Sequence, residues 1–372
     1  MIIYLFMRIE LIWFSFGSMI GLSTCMNSLP SPWRIAYQGE PGAYSEKASR
    51  ELLGPRVMTV NYPSFEDVFK AVASRDADYA VVPIENSLGG SIHANFDLLL
   101  RYDLHIIAEH EFRVEHFLLA LPGVKREDIK KVMSHPQALA QCENYLRDLG
   151  YIPTPTYDTA GSAKIIKEQN LLDCAAIASD LAGKTYGLDV LESNIEDHDN
   201  NFTRFLLLSR TPESSLIPPQ MAVKTHLAIA ALEGKADLYR IIDCFKIHDI
   251  RICRLEARPM AVDLLNLLKS STMQSVAMGE GDASSPQSYS ARFPSMYHIE
   301  IDQPLHDDST QMLINALQTQ VKYVRVIGSY PPNSVLVGPI ITSATAPLTS
   351  SSSSSSVVAD QLIHARSSTV VE

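Results

Sequence analysis

The stretch Asn200–Ser209, NNFTRFLLLS, sets a polar knot against an apolar run. Phe205 to Leu208 read as a buried strand. Thr203 and Arg204 therefore sit where a strand enters a sheet, a hydroxyl beside a guanidinium. Working outward, the same grammar recurs. RIAY (34–37) reads as a strand and leads through the Gly-containing turn QGEPGAYSE into a helix. Ser64 and Asp67 form a capping-box start, after which Phe65, Val68, Phe69 and Val72 follow at helical spacing. YAVVPI (79–84) is a buried-strand run, followed by ENSLGGSI and a helix near 95–101. Residues 104–121 are strand-rich. SHPQALAQCENYLRDLG (134–150) reads as a turn and one helix closed by Gly150. DTAGSAKIIKEQ opens another helix capped by Asp158 or Thr159. CAAIAS (174–179) is a strand, and Thr203–Ser209 is the last strand of this body.

Strand–turn–helix repetition predicts an α/β fold with parallel sheets and crossover helices. In such folds ligands bind in the loops beyond the carboxyl ends of strands. The loops QGEPGAYS, ENSLGGS, SHPQ and DTAGS occupy that position. They are rich in residues that donate hydrogen bonds or let backbone come close. After the Pro-rich hinge SSLIPPQ (214–220), the order of patterns is βαββαβ, a ferredoxin-like unit. A polar tract at 263–292 interrupts it at a hairpin, where insertion is tolerated.

The chain has 372 residues, room for two or three domains, and a net charge of −11. With no Lys/Arg block to pair with phosphates, nucleic-acid binding is not expected. A small anionic ligand is compatible, because it responds to local donors more than to the distant sum. Five cysteines without CxxC spacing argue against a zinc site or disulfide framework and for a reducing compartment. Residues 1–32 form a leader of uncertain role. The first 25 are apolar, with only Arg8 and Glu10 charged. They read as an import or secretion signal, or as sequence upstream of a true start at Met26. Glu10, Gly17, Ser18 and Gly21 weaken a membrane anchor, and the composition is not that of an Arg- and Ser-rich transit peptide. Residues 336–372, with an unbroken Ser350–Ser356 run, are too polar to form a core.

Four motifs, YQGEPGAYSE, VVPIENSLGGSI, SHPQALAQC and NFTRF, stand in this order and spacing over about 300 residues. Together they resemble the prephenate dehydratase family, most closely its plant-type branch, whose members act on arogenate rather than, or as well as, prephenate. RLEARP and VIGSYP in the second body look like the family's regulatory ACT domain. The resemblance implies a catalytic domain at 33–212, bilobed like a periplasmic binding protein. Its lobes would be about 33–112 with 190–210, and 113–189. An ACT-type domain at 221–335 would follow. It implies decarboxylative dehydration of prephenate and/or arogenate in L-phenylalanine biosynthesis, with no cofactor or metal.

In the family the Thr of TRF is catalytic, which is Thr203 here. A Thr hydroxyl is a weak acid, so its natural role is a positioned donor to the departing oxygen. Arg204 is expected to clamp a substrate carboxylate. Glu85 is expected as a catalytic carboxyl, its pKa raised if desolvated. Asn86, Ser87, Ser134, Gln141, Asp158 and Phe205 match further positions of the substrate cleft. Gly234, Leu238, Glu256, Arg258 and Pro259 match the phenylalanine-binding segments of the ACT domain. Departures there are Asp237 in place of an apolar residue and Ala257 in place of a Ser, and they predict weakened or altered feedback. Homo-oligomers, dimers or tetramers, and a plastid or alternatively cytoplasmic location are implied too. A different class, a catalytically inactive amino-acid sensor with the same cleft, would bind substrate without releasing product.

Overall fold

Tyr79–Asn86 (β3) carries the run YAVVPIEN, and its first six residues are buried, as suits a strand covered on both faces. It lies inside the larger of two sheets in the computed structural model, which describes residues 33–212, 223–231, 235–260, 295–321 and 323–333. Beside it run Arg34–Gln38 (β1) and, beyond that, Met58–Tyr62 (β2), both parallel to it. On its other side Phe202–Ser209 (β11) runs antiparallel and pairs in turn with His105–Arg113 (β5). Tyr44–Leu53 (α1), Phe65–Ala73 (α2) and His93–Arg101 (α3) belong to this lobe. Ser64 caps α2 by accepting from the Asp67 N–H at 3.2 Å.

The smaller sheet has the order Asp189–Ser193 (β10), Phe117–Ala120 (β6), Cys174–Ala178 (β9), Lys131–Ser134 (β7), Ile152–Pro155 (β8). Its helices are Pro136–Gln141 (α4), Glu143–Asp148 (α5), Thr159–Gln169 (α6) and Asp180–Tyr186 (α7). Three readings change here. Both sheets are mixed rather than parallel, because β6, β10 and β11, the strands on which the chain passes between lobes, enter antiparallel. The return to the first lobe falls after Ser193 rather than at 190, since Asp189–Ser193 pairs with β6. The one helix read over 136–149 is two. The Asp197 carboxylate accepts from the N–H groups of Asn144 (3.0 Å) and Tyr145 (3.4 Å), starting a fresh helix past a break at Cys142.

The lobes meet at a turn. Gly42 takes φ +91°, and a Cβ there would lie 2.6 Å from Ala182 Cα. The Ser179 hydroxyl caps α7 and donates to the Gly42 carbonyl at 2.6 Å. Glycine is what lets backbone approach backbone at this point.

The C-terminal body is the ferredoxin-like unit expected. Lys224–Ala231 (β12), Lys235–Ile247 (α8), Ile252–Pro259 (β13), Ser295–Ile301 (β14), Asp308–Gln320 (α9) and Tyr323–Tyr330 (β15) follow as βαββαβ. The strand order is β13-β14-β12-β15, antiparallel throughout. Leu227, Ile229, Phe245, Ile299, Leu313 and Leu317 fill the space under its helices. The other face brings Ala228, Ala230, Met296, Ile327 and Tyr330 into one core with Phe96 and Leu99 of the first lobe. The two sheets join where Gly328 meets Ile106, a contact without room for a side chain: a Cβ would stand 2.2 Å from the Ile106 carbonyl oxygen. The leader, the hinge 214–220, the tract 263–292, Gly234 and the Ser-rich tail lie outside the described residues.

Candidate active site

A cleft of about 500 Å³, in the range of small-molecule sites, opens between the lobes. Thr203 and Asn86 are direct cross-strand partners on β11 and β3 and share one face of the sheet. Both line the cleft. The Asn86 amide donates to Thr203 Oγ1 at 3.0 Å, to Asn201 Oδ1 at 2.8 Å and to the Phe202 carbonyl at 3.2 Å. Its own oxygen accepts from the N–H groups of Leu88 (3.1 Å) and Gly89 (2.7 Å), which fixes the amide's orientation. Thr203 therefore accepts from Asn86 and keeps its O–H to give to a ligand.

A second chain of contacts supports this pair. The Gln141 Oε1 accepts from Asn201 Nδ2 at 3.1 Å and from His116 Nε2 at 2.8 Å. The Gln141 amide faces Asn86 Oδ1 at 3.5 Å. Burial holds the His116 pKa below its ordinary value, though Gln141 and Glu196 oppose it, so the ring is neutral. With its one proton on Nε2 toward Gln141, Nδ1 accepts from the Tyr44 hydroxyl at 2.7 Å. His116 and Tyr44 were not singled out from sequence. Tyr44 sits in the QGEPGAYSE motif, but the role of His116 arises only when the fold brings Gln141 of its own lobe and Tyr44 of the other to its ring.

Arg204 and Glu85 require correction. Neighbours on a strand point to opposite faces, so with Thr203 and Asn86 toward the cleft, Arg204 and Glu85 point away. Arg204 Nη1 lies 2.8 Å from Glu109 Oε2 and from both oxygens of Glu300 on β14. Its Nε lies 3.4 Å from Glu85, which also pairs with Arg254 of β13. Lys224 of β12 reaches Glu109 at 2.6 Å and Glu300 at 3.0 Å. Three cations and three carboxylates thus join the catalytic strands to the C-terminal sheet. Burial by itself would raise the Glu300 carboxyl, but Arg204, His226 and Lys224 outweigh it and hold the pKa down at about 2.

The remaining residues divide. Gln141, Asp158 and Phe205 line the cleft. Ser87 does not: its hydroxyl donates to the Asn200 carbonyl (2.6 Å) and accepts from the Phe202 N–H (2.9 Å), tying the 86–90 turn to β11. Ser134 is fully buried and donates to the Ile177 carbonyl at 2.6 Å. In the C-terminal unit Leu238 packs under the helices, and Pro259 ends β13. Glu256 lies 3.3 Å from His93 and accepts from the Ser91 hydroxyl, while Arg258 binds Asp97 through two nitrogens at 2.8 and 3.1 Å. These two side chains contact the segment 91–97 of the catalytic lobe and dock the unit on it.

Among the described residues no Lys or Arg lines the cleft. The helices α1, α3 and α6 begin at lining residues, and neither α1 nor α3 has a side-chain cap on its first N–H groups, an arrangement that offers donors to an anion. Among the lining residues Asp158 is the sole carboxyl.

A two-lobed α/β body with a hydroxyl in its cleft and a ferredoxin-like unit docked on the strands that carry it is the architecture of a small-molecule-binding domain with an appended unit. Comparison with known proteins is specific. Residues 35–213 match the family model "Prephenate dehydratase". The chain is 40% identical over 302 residues to arogenate dehydratase 2 of Petunia hybrida, covering 81% of this chain and 72% of that one. It is 39% identical over 305 residues to the chloroplastic arogenate dehydratase/prephenate dehydratase 2 of Arabidopsis thaliana, covering 82% and 74%. Among solved structures, prephenate dehydratase of Arthrobacter aurescens in complex with L-Phe superposes with TM-score 0.67 at 25% identity over 81% of this chain and 90% of that one. A protein described as a quorum-quenching acylase superposes with TM-score 0.65 at 30% identity over 80% and 98%. The chain belongs to the prephenate dehydratase family, in its plant-type branch. It is a dehydratase, a lyase of phenylalanine biosynthesis acting on a small molecule.

Proposed function

We propose that the cleft removes water and carbon dioxide from arogenate, prephenate or both, giving phenylalanine or phenylpyruvate, with Thr203 at the departing oxygen. The observation that carries this is the Asn86–Thr203 bond, in which Thr203 accepts and so keeps its own O–H free to donate into the cleft. In the reaction the C4–oxygen bond breaks as the ring carboxylate leaves as carbon dioxide. The electron pair of the lost C–C bond enters the ring, and the departing hydroxide takes up a proton to become water. A donor fixed at that oxygen stabilises the charge as it develops. The uncapped N–H groups at the starts of α1 and α3 are further donors available to an anionic ligand. Asn86 and Gln141 position Thr203 and the ligand's polar edge.

Phenylalanine is the effector expected of the C-terminal unit, as supported by its presence in the Arthrobacter structure. The docking of Glu256 and Arg258 on α3, with Ala257 between them, supports an altered response. Exposed Tyr239, Ile242, Ile247 and Met312 on the unit's helices support assembly with further copies. Chloroplastic relatives support a plastid location. The test is product formation from each substrate by the protein and by Thr203→Val, which keeps the shape and removes the hydroxyl. The variant is expected to lose about 10²- to 10³-fold in kcat, the effect of deleting one fixed donor. Activity equal to that of the unaltered protein refutes the assignment, and tight substrate binding with no product returns the chain to a binding role.

A further inference from the structure

Arogenate and prephenate are the same ring acid with one difference. Beside the side-chain carboxylate, arogenate carries an ammonium and prephenate a ketone. Discrimination falls to whatever in the cleft can hold a cation. Asp158 is the lining residue that can.

Its setting is unusual for a helix cap. One oxygen accepts from the Gly161 N–H at 2.8 Å, so the carboxyl is fixed at the start of α6. Among the described residues no Lys or Arg forms an ion pair with it. Lys164, on the same helix, is paired with Glu40 at 3.1 Å. Burial raises the Asp158 pKa and Glu40 adds to the rise, against the Gly161 and Ala160 N–H groups and His135. A half-buried carboxylate short of a counter-charge is a receptor for a ligand cation.

The shape of the substrate agrees. The departing hydroxyl and the side chain stand on opposite carbons of the six-membered ring. Thr203 belongs to β11 in the larger sheet, and Asp158 begins α6 in the other lobe. A ring that spans the cleft with its hydroxyl at Thr203 has its side chain on the far side of the ring, and Asp158 is a lining carboxyl from the opposite lobe.

We propose that Asp158 selects the substrate: its carboxylate receives the α-ammonium of arogenate, and it opposes the ketone of prephenate by setting one acceptor against another. This rests on the dehydratase reading above. The chain then prefers the amino acid over the keto acid, and the preference lies in one side chain.

The experiment measures kcat/KM of the full chain on both substrates, for the unaltered protein, Asp158→Asn and Asp158→Ser. Both replacements keep a side-chain oxygen for the Gly161 N–H, so the helix start survives. The arogenate-to-prephenate ratio is expected to fall about 10- to 100-fold in each, the loss of one charge-assisted contact. A ratio left unchanged overturns the proposal. That covers the case in which both rates fall together, which would make Asp158 the proton donor to the departing hydroxyl. If the unaltered protein converts neither substrate, the dehydratase reading itself fails, and that outcome is visible before any variant is made.

Discussion

Glu300→Gln tests whether the C-terminal sheet is clamped to the catalytic strand. Glu300 is 4% exposed, and both its oxygens lie 2.8 Å from Arg204 Nη1, with Lys224 at 3.0 Å. The folded pKa near 2 stands against about 4.3 for an ordinary Glu. At about 1.4 kcal/mol per pKa unit, the folded state favours the ionised form by about 3 kcal/mol. That agrees with the 3–5 kcal/mol typical of removing one member of a buried ion pair. Neutralising the residue should lower Tm by about 4–5 °C for a chain of this size. Activity should fall as well. Arg204 directly follows Thr203, and a displacement of about 1 Å at a reacting group is worth roughly 10²-fold. The expectation is a kcat lowered at least about 10-fold with a smaller change in KM. Glu66→Gln is the control: its pairs with Lys70 and Arg101 are at 3.5 Å on the surface, where such contacts contribute less than about 1 kcal/mol. If Glu300→Gln is as mild as the control in both melting and kcat, the clamp does not exist.

Two further outcomes follow from the same geometry. The Glu300 contribution is an ionised-state contribution from a depressed pKa, so it is fully present above about pH 4.5 and is lost as pH falls toward 2; urea midpoints across that window should decline less in Glu300→Gln than in the unaltered protein. Gly42→Ala should separate the lobes, because its Cβ meets Ala182 backbone at 2.6 Å with φ +91°, and a raised KM on either substrate would show it, while an unchanged KM would show that the turn yields cheaply.

Much of this was legible because the local signals are strong. Ser64 with the following apolar spacing marks α2, and the run 79–84 marks a covered strand. The βαββαβ order survives a polar tract of about 30 residues. Arg204 and Glu85 depart from expectation for one reason. The sequence sets Thr203 beside Arg204 and Asn86 beside Glu85, whereas a strand sends neighbours to opposite faces. That rule was available in the sequence. It would have assigned Arg204 and Glu85 to the far side once Thr203 was placed in the cleft. Other features were not available. The pairing of Asp189–Ser193 with β6 and the break at Cys142 depend on contacts with Phe117–Ala120 and with Asp197, remote in sequence. His116 gains its role from Gln141, 25 residues on, and from Tyr44 of the other lobe.

The division of one strand into two faces also explains how a neutral cleft can serve an anionic substrate. Were Arg204 in the cleft, it would offer the substrate a strong clamp in ground and transition state alike, and uniform binding of that kind lowers KM without raising kcat. With Arg204 turned away, the cleft offers an anion uncapped N–H groups at helix starts, and among the described lining residues the one carboxyl is Asp158. The guanidinium is free to join β11 to β14 next to Thr203. Glu85 does the same on β3, beside Asn86. A shift of the C-terminal sheet then reaches the Thr203–Asn86 bond through one peptide unit on each strand. Effector binding at a distant surface needs no longer path than this, because the two residues that set the reactive hydroxyl are the immediate neighbours of the two that hold the regulatory sheet.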